Sequence, residues 1–257
     1  MKKEDYLKSE AIAIEHCSAR ELCPFGSICG TWADNSSHVV VPALAEVQKG
    51  DLIWVDLRNE HRVVTIKSGL FVTVAVDGGN EEVFSVYGPG YCCGLAELYI
   101  DSKVCSTYYL KALTDCAVCS FPASVLRHRL ESLPTVESHR IISYSLTNWT
   151  AASFELLKLY SHTQKSERVA LLLWYLREQS GRAGEPLSVI KLSHDEIAYL
   201  LRSDRASVTR ALHCLEDDGL VRLGYKSIAF SDDFDLRVKQ YAESDLSYHR
   251  LGCEQRP

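Results

Sequence analysis

The chain has 257 residues, 46% hydrophobic and 24% charged, with a net charge of −6 and 10 cysteines. That is enough for two modest domains with cores of their own. The acidic balance excludes a generally basic nucleic-acid coat, though not a local basic face, and no apolar window of about 18 residues offers a membrane span. The opening MKKEDYLKSEAIAIEHC lacks the sustained apolar stretch of a signal peptide, so the expected location is cytoplasmic. There, cysteines serve as metal, redox or core residues more readily than as a disulfide framework.

The first predicted element, a cysteine-bearing segment over residues 1–37, contains HCSARELCPFGSIC, with Cys17, Cys23 and Cys29 at six-residue steps. On a helix, at about 100° per residue, such steps send the thiols to three different sides. Pro24, Gly26 and Gly30 favour a wrapped loop that could bring the sulfurs to one point. A mobile arm with free thiols is the plain alternative.

Residues 38–128 are expected to form a β-rich sensor domain. LIWVDL (52–57) and VVTIKSGLFVTVAV (63–76) are rich in Val, Ile and Thr. DGGN (77–80) supplies a hairpin turn, GPG (88–90) another break, and STYYLKAL and DCAVCSF further strands. Short strands joined by Gly-rich turns predict an antiparallel barrel or jelly-roll-like sandwich.

After Pro122 the pattern turns helical, with Pro134 placed for a helix start. Over residues 129–162, Ile142, Leu146, Trp149, Ser153, Leu156 and Tyr160 follow a 4-3-4-3-4 spacing. That is a heptad seam through which two copies could form a homodimer; packing on the chain's own barrel is the alternative.

The last region, 163–257, opens with the amphipathic ERVALLLWYLREQSG and continues into LSHDEIAYLLRSDRASVTRALHCLEDDGLVRLGYKSIAF. Ser193 and Glu196 form a capping-box pattern, and Asp195 suits the helix dipole. Val208, Ala211, Leu212 and Leu215 make a buried stripe. The opposite side carries Ala206, Thr209, Arg210 and His213, with Arg205 and Ser207 near its start. A short helix, a tight turn and a second helix exposing Arg, Ser and Thr describe a helix-turn-helix for the major groove of double-stranded DNA. Arginine can hold guanine or phosphate, and hydroxyls can meet base edges or the backbone. LVRLGYKSIAF then makes a wing, turning at Gly224 with Lys226 at its tip. The candidate DNA contacts are Arg205, Ser207, Thr209, Arg210 and Lys226.

KGDLIWV, IKSGLFVTV, GPGYCCG, KALTDCAVCSFP and EIAYLL…SVTRALHCLEDDGLV, in that order, resemble the family of cyclic-AMP receptor protein and fumarate-nitrate reduction regulator. The resemblance implies an α+β chain: a β-roll like that of cyclic-nucleotide-binding domains, a long dimer helix and a C-terminal winged helix. It also implies a promoter-DNA-binding homodimer that works with RNA polymerase. Ala206 stands where many relatives carry a base-reading glutamate. The cyclic-nucleotide branch needs an arginine for the phosphate, yet residues 103–107 hold none and Leu95 follows Gly94 where a glutamate is needed. The resemblance therefore argues against cyclic AMP.

The oxygen-sensing branch holds a 4Fe–4S cluster on N-terminal cysteines and one from the end of the roll. CSARELC matches the spacing of its last two N-terminal ligands, whereas Ile14 stands where a third is expected. Cys29 is the substitute. VCSFP nominates Cys119, with Cys116 as its rival; three apart on one strand, they face opposite ways. The expectation is an oxygen- or NO-labile cluster on Cys17, Cys23, Cys29 and Cys119, a ligand set zinc would also accept. Losing it would repack the dimer helix and so move the two recognition helices. The alternative is the same DNA-binding regulator sensing thiol redox state, haem or a small ligand, with Cys92, Cys93 and Cys105 in play. Cys214 is expected as a core thiol and Cys253 as a tail residue without a role. No catalytic signature joins Cys92 or Cys93 to His61 or His128, so no enzyme is expected.

Overall fold

The computed structural model describes residues 17–30, 40–54, 62–77, 79–95, 98–99 and 108–243. They divide into two compact units, Met1–Ser153 with Arg182–Gly184, and Phe154–Gly181 with Glu185–Pro257. The boundary falls inside the long helix, which was expected as a segment of its own.

The first unit is built on eight antiparallel strands: β1 (Ala43–Val47), β2 (Leu52–Trp54), β3 (Arg62–Ser68), β4 (Phe71–Asp77), β5 (Asn80–Tyr87), β6 (Cys92–Cys93), β7 (Tyr108–Ala112) and β8 (Cys116–Pro122). They form two four-stranded sheets, ordered β1-β8-β3-β6 and β2-β7-β4-β5. The run 63–76 breaks at Gly69 because its φ of +84° lies in the left-handed region. A Cβ there would sit 2.5 Å from the Cys116 sulfur. One core lies inside the roll, with Ile66, Phe71, Tyr87, Leu110, Cys116 and Val118 among its members.

A second core gathers Phe25, Ile28, Val63 and Phe121 with helix α1 (Ala123–Ser132), through Leu126 and Leu130, and with Ile141 of helix α2 (Thr135–Ser161). Strand alternation on β8 explains the two cores, since Cys116 and Val118 point inward while Cys119 and Phe121 point the other way.

Helix α2 begins beyond Pro134, whose carbonyl accepts from Glu137 and Ser138. The expected seam divides in the structure. Leu156 is only 1% exposed within the single chain, Ile142 is half-buried, and Trp149 stacks on Phe84 with ring centres 5.7 Å apart. Leu146 and Trp149 of the seam are exposed, and so are Val136, Phe154 and Leu157, which extend the exposed apolar surface around the axis from Leu146. The heptad spacing marks apolar positions but does not say which stripe the chain's own packing takes.

The second unit holds α3 (Lys165–Gly181), β9 (Val189–Ile190), α4 (His194–Leu200), α5 (Arg205–Asp217), β10 (Val221–Gly224), β11 (Ser227–Phe230) and α6 (Phe234–Glu243). Helix α3 buries Val169 through Leu173 consecutively, so it is enclosed on several sides rather than simply amphipathic. Strand β9 adds to the wing beside β11. Helix α6, whose Phe234 and Val238 are fully buried, is an element the sequence pattern did not announce.

Candidate functional site

Helix α4 starts at Ser193 with the full capping box: the Glu196 amide donates to Ser193 Oγ at 3.2 Å, and the Ser193 amide donates to the Glu196 carboxylate at 2.7 Å. Helix α5 starts at Asp204, whose carboxylate accepts from the Ser207 amide at 2.7 Å. Hydrogen bonds from Ser207 and the Lys165 ammonium at 3.1 Å hold the Asp204 carboxyl well below the usual carboxylate range. The start of α5 is therefore pinned to α3.

Val208, Ala211, Leu212 and Leu215 are buried, while Arg205, Ala206, Arg210 and His213 are exposed. Arg205 reaches Asp195 of α4 at 3.3 Å. Ser207 is 7% exposed and its hydroxyl accepts from Lys165 at 3.0 Å and from Arg210 at 3.1 Å. It is placed to brace Arg210 rather than to reach a duplex. The Thr209 hydroxyl lies 2.9 Å from His194 Nδ1. Beside this face the wing turns at Tyr225 and Lys226; Lys226 has a φ of 49°, and Tyr225 is 91% exposed. Lys226 Nζ sits 5.7 Å from the Tyr225 ring centre. Cys214 departs from expectation. It is half-buried and disulfide-bonded, its position on the flank of α5 keeping the sulfur out of the apolar stripe; its partner lies outside the described residues.

The other candidate lies on the roll. Residues 17–30 wrap in successive turns, with Cys23 N–H to Ala19 carbonyl at 2.8 Å and Cys29 N–H to Phe25 carbonyl at 2.8 Å. These turns keep the three cysteines from fanning out as a helix would. Phe25 is fully buried and meets Phe121 edge-on, with ring centres 5.1 Å apart. That contact seats the loop two residues from Cys119. Cys23, Cys29 and Cys119 all pack against the same apolar core.

Burial, then the neighbouring thiols, pushes Cys23 up to about 12, with Cys29, Cys119 and Cys17 as those neighbours. Burial, then Cys29 and Cys17, likewise raises Cys119 to about 12. Burial, then Cys17, raises Cys29 to about 11. Cys17 contributes to the rise of all three, Cys29 to that of Cys23 and Cys119, and Cys119 to that of Cys23. Lys67 beside Cys119 and Arg20 beside Cys29 oppose the rise.

Cys116 stands apart on the inner face, its thiol donating to the Thr114 carbonyl at 3.0 Å and the Leu70 carbonyl at 3.4 Å. Cys92 and Cys93 are buried on β6, Leu95 is buried in the second core, and Cys105, Cys253 and His61 lie outside the described residues. Among the described residues no group of three or more His, Cys, Asp or Glu forms a ready-made single-ion site. A tetrahedral zinc ion draws its sulfurs to within about 4 Å of each other. A four-iron cube carries its ligands on separate corners and needs them further apart. The donor set is soft: three thiols, Cys23, Cys29 and Cys119, pack on one apolar core, with Cys17, Lys67 and Arg20 close enough to act on them, and such thiols suit an iron–sulfur cluster.

Residues 167–237 match the Crp-like helix-turn-helix domain. The chain is 26% identical over 186 residues to transcriptional regulator SdrP of Thermus thermophilus, covering 71% of this chain and 85% of that protein. It is 30% identical over 148 residues to the cyclic AMP receptor protein of the same organism, covering 57% and 64%. Residues 167–237 therefore carry a Crp-like helix-turn-helix domain, and the chain is similar to these regulators over most of its length. The fold agrees: FixK2 of Bradyrhizobium japonicum superposes with a TM-score of 0.60 at 17% identity, over 82% of this chain and all of that one. Helices α4 and α5 lie within the matched residues and form its helix-turn-helix. No helix among the described residues is long and apolar enough to cross a membrane.

Proposed function

We propose that this chain is a regulator of the CRP/FNR family that binds promoter DNA as a homodimer through Arg205, Arg210 and Lys226, under control of a 4Fe–4S cluster held by Cys17, Cys23, Cys29 and Cys119. The observation that carries the sensor reading is the packing of Cys23, Cys29 and Cys119 on one apolar core, with Cys17 close enough to act on all three. When bound, the cluster supplies a redox- and oxygen-labile iron centre. The protein's own part is mechanical. Phe25 and Phe121 hold the loop against β8, and Leu126, Leu130 and Ile141 join that core to α1 and α2. Repacking around the sulfurs therefore reaches the helix whose exposed Phe154 and Leu157 suit a second copy. The transcription it regulates implies contact with RNA polymerase. Buried thiols raised so far above neutrality make slow nucleophiles, which favours the cluster over a bare thiol switch.

Protein isolated without air tests this. Iron, sulfide and visible absorbance are expected in the wild type and in Cys116→Ser, and their loss in Cys23→Ser and Cys119→Ser. A colourless, iron-free wild type overturns the sensor. Retardation of promoter fragments is expected to weaken on exposure to air and, by about tenfold or more, in Arg210→Ala. Absence of any retardation overturns the DNA assignment.

A further inference from the structure

The duplex-facing surface of α5 is unusual in what it withholds. Two hydroxyls lie on or beside it, and both are turned to protein partners: Ser207 to Lys165 and Arg210, Thr209 to His194 at 2.9 Å. Ala206, one turn before Thr209 and exposed, has no polar group at all. Residues three apart on a helix are neighbours on one face, so the Ala206 methyl and the Thr209 methyl lie side by side. Arg205 and Arg210 frame this pair. Ala206 is the second residue of α5, in the helix start that meets base edges when such a helix enters the major groove.

We propose that Ala206 and Thr209 form an apolar reader of thymine 5-methyl groups, with His194 as the positioning residue that keeps the Thr209 hydroxyl turned away. In the major groove thymine alone among the four bases presents a methyl, and alanine and threonine methyls are suited to contact it. A side chain without donors or acceptors at this point cannot satisfy the cytosine amino group or guanine acceptors, which would be desolvated unpaired. The framing arginines hold a neighbouring guanine or the phosphates. The half-site therefore carries at least one T·A pair, thymine methyl toward α5, beside the position served by Arg205 or Arg210. This rests on the assignment of α5 as the DNA-reading helix.

The test uses the full-length protein isolated without air. Duplexes are selected from a randomised pool, and each selected thymine is then replaced by deoxyuridine, which removes the methyl and nothing else. At one or two adjacent positions of the half-site an affinity loss of about threefold to tenfold is expected. Replacing that pair by C·G is expected to cost more, and 5-methylcytosine to recover part of the loss. Ala206→Glu is expected to reverse the order, preferring C·G, because a carboxylate accepts from the cytosine amino group. In His194→Ala the thymine-over-uracil ratio is expected to shrink. Uracil bound within twofold of thymine at every position overturns the reader, and an unchanged ratio in His194→Ala overturns the positioning role. A protein that selects no duplex at all fails at the DNA assignment instead.

Discussion

Gly90 has a φ of +86°, and a Cβ there would lie 2.6 Å from Leu22 Cβ and 2.8 Å from the Leu22 carbonyl oxygen. There the cysteine loop lies close against the backbone of the roll. Gly90→Ala would cost about 1–3 kcal/mol in backbone strain, and it would also lift the loop. A lower urea midpoint together with reduced iron in air-free preparations is the expected result. His194 makes a second residue-scale prediction. Burial first, then the charges of His213 and Arg205, holds its pKa below the ordinary 6.5, with Asp195 pulling the other way. Just below that value the unfolded chain binds a proton that the folded chain refuses. Stability therefore rises with pH in this window and is lost on acidification. Between about pH 7 and pH 5 the urea midpoint of the wild type is expected to fall more steeply than that of His194→Gln; equal slopes would assign the loss to other groups.

At the scale of elements, the helix-turn-helix was almost fully legible. Its signals are local: a serine and a glutamate three apart, an apolar stripe at helical spacing, and Gly219 just past the end of α5. Ser193→Ala removes the hydroxyl half of the capping box and leaves the backbone amide on Glu196; it is expected to lower stability by about 1 kcal/mol, read as a shift in urea midpoint with an unchanged slope. Helix α2 teaches the opposite lesson. Its apolar positions were visible, and Leu146 and Trp149 of the expected seam stay exposed, yet Leu156 turned inward while Val136, Phe154 and Leu157 lie exposed as well. Converting Phe154 and Leu157 together to glutamate is expected to shift sedimentation from dimer to monomer and to abolish DNA retardation, while circular dichroism stays that of the folded chain. A dimer that survives would place the interface elsewhere. Helix α6 went unseen because its burial of Phe234 and Val238 depends on neighbours distant in sequence.

For the molecule as a whole, composition and the order of motifs were enough to place a β-rich domain ahead of a winged helix. Periodicity, caps and turn residues act over a few positions, so one strand of text records them. The six-residue cysteine spacing said only that a helix was excluded. What brought Cys17, Cys23 and Cys29 to Cys119, and left Cys116 on the far side, was the register of β8 between β1 and β3, where Cys119 pairs with Leu44 and Thr65, together with the seating of Phe25 on Phe121. The same holds at the recognition helix. The sequence by itself determined that α5 exposes Arg205, Ala206, Thr209 and Arg210. Only the tertiary structure decided that Ser207 braces an arginine and that Thr209 turns to His194, because a hydroxyl's partner is chosen by whichever donor or acceptor the folded chain brings within hydrogen-bonding distance.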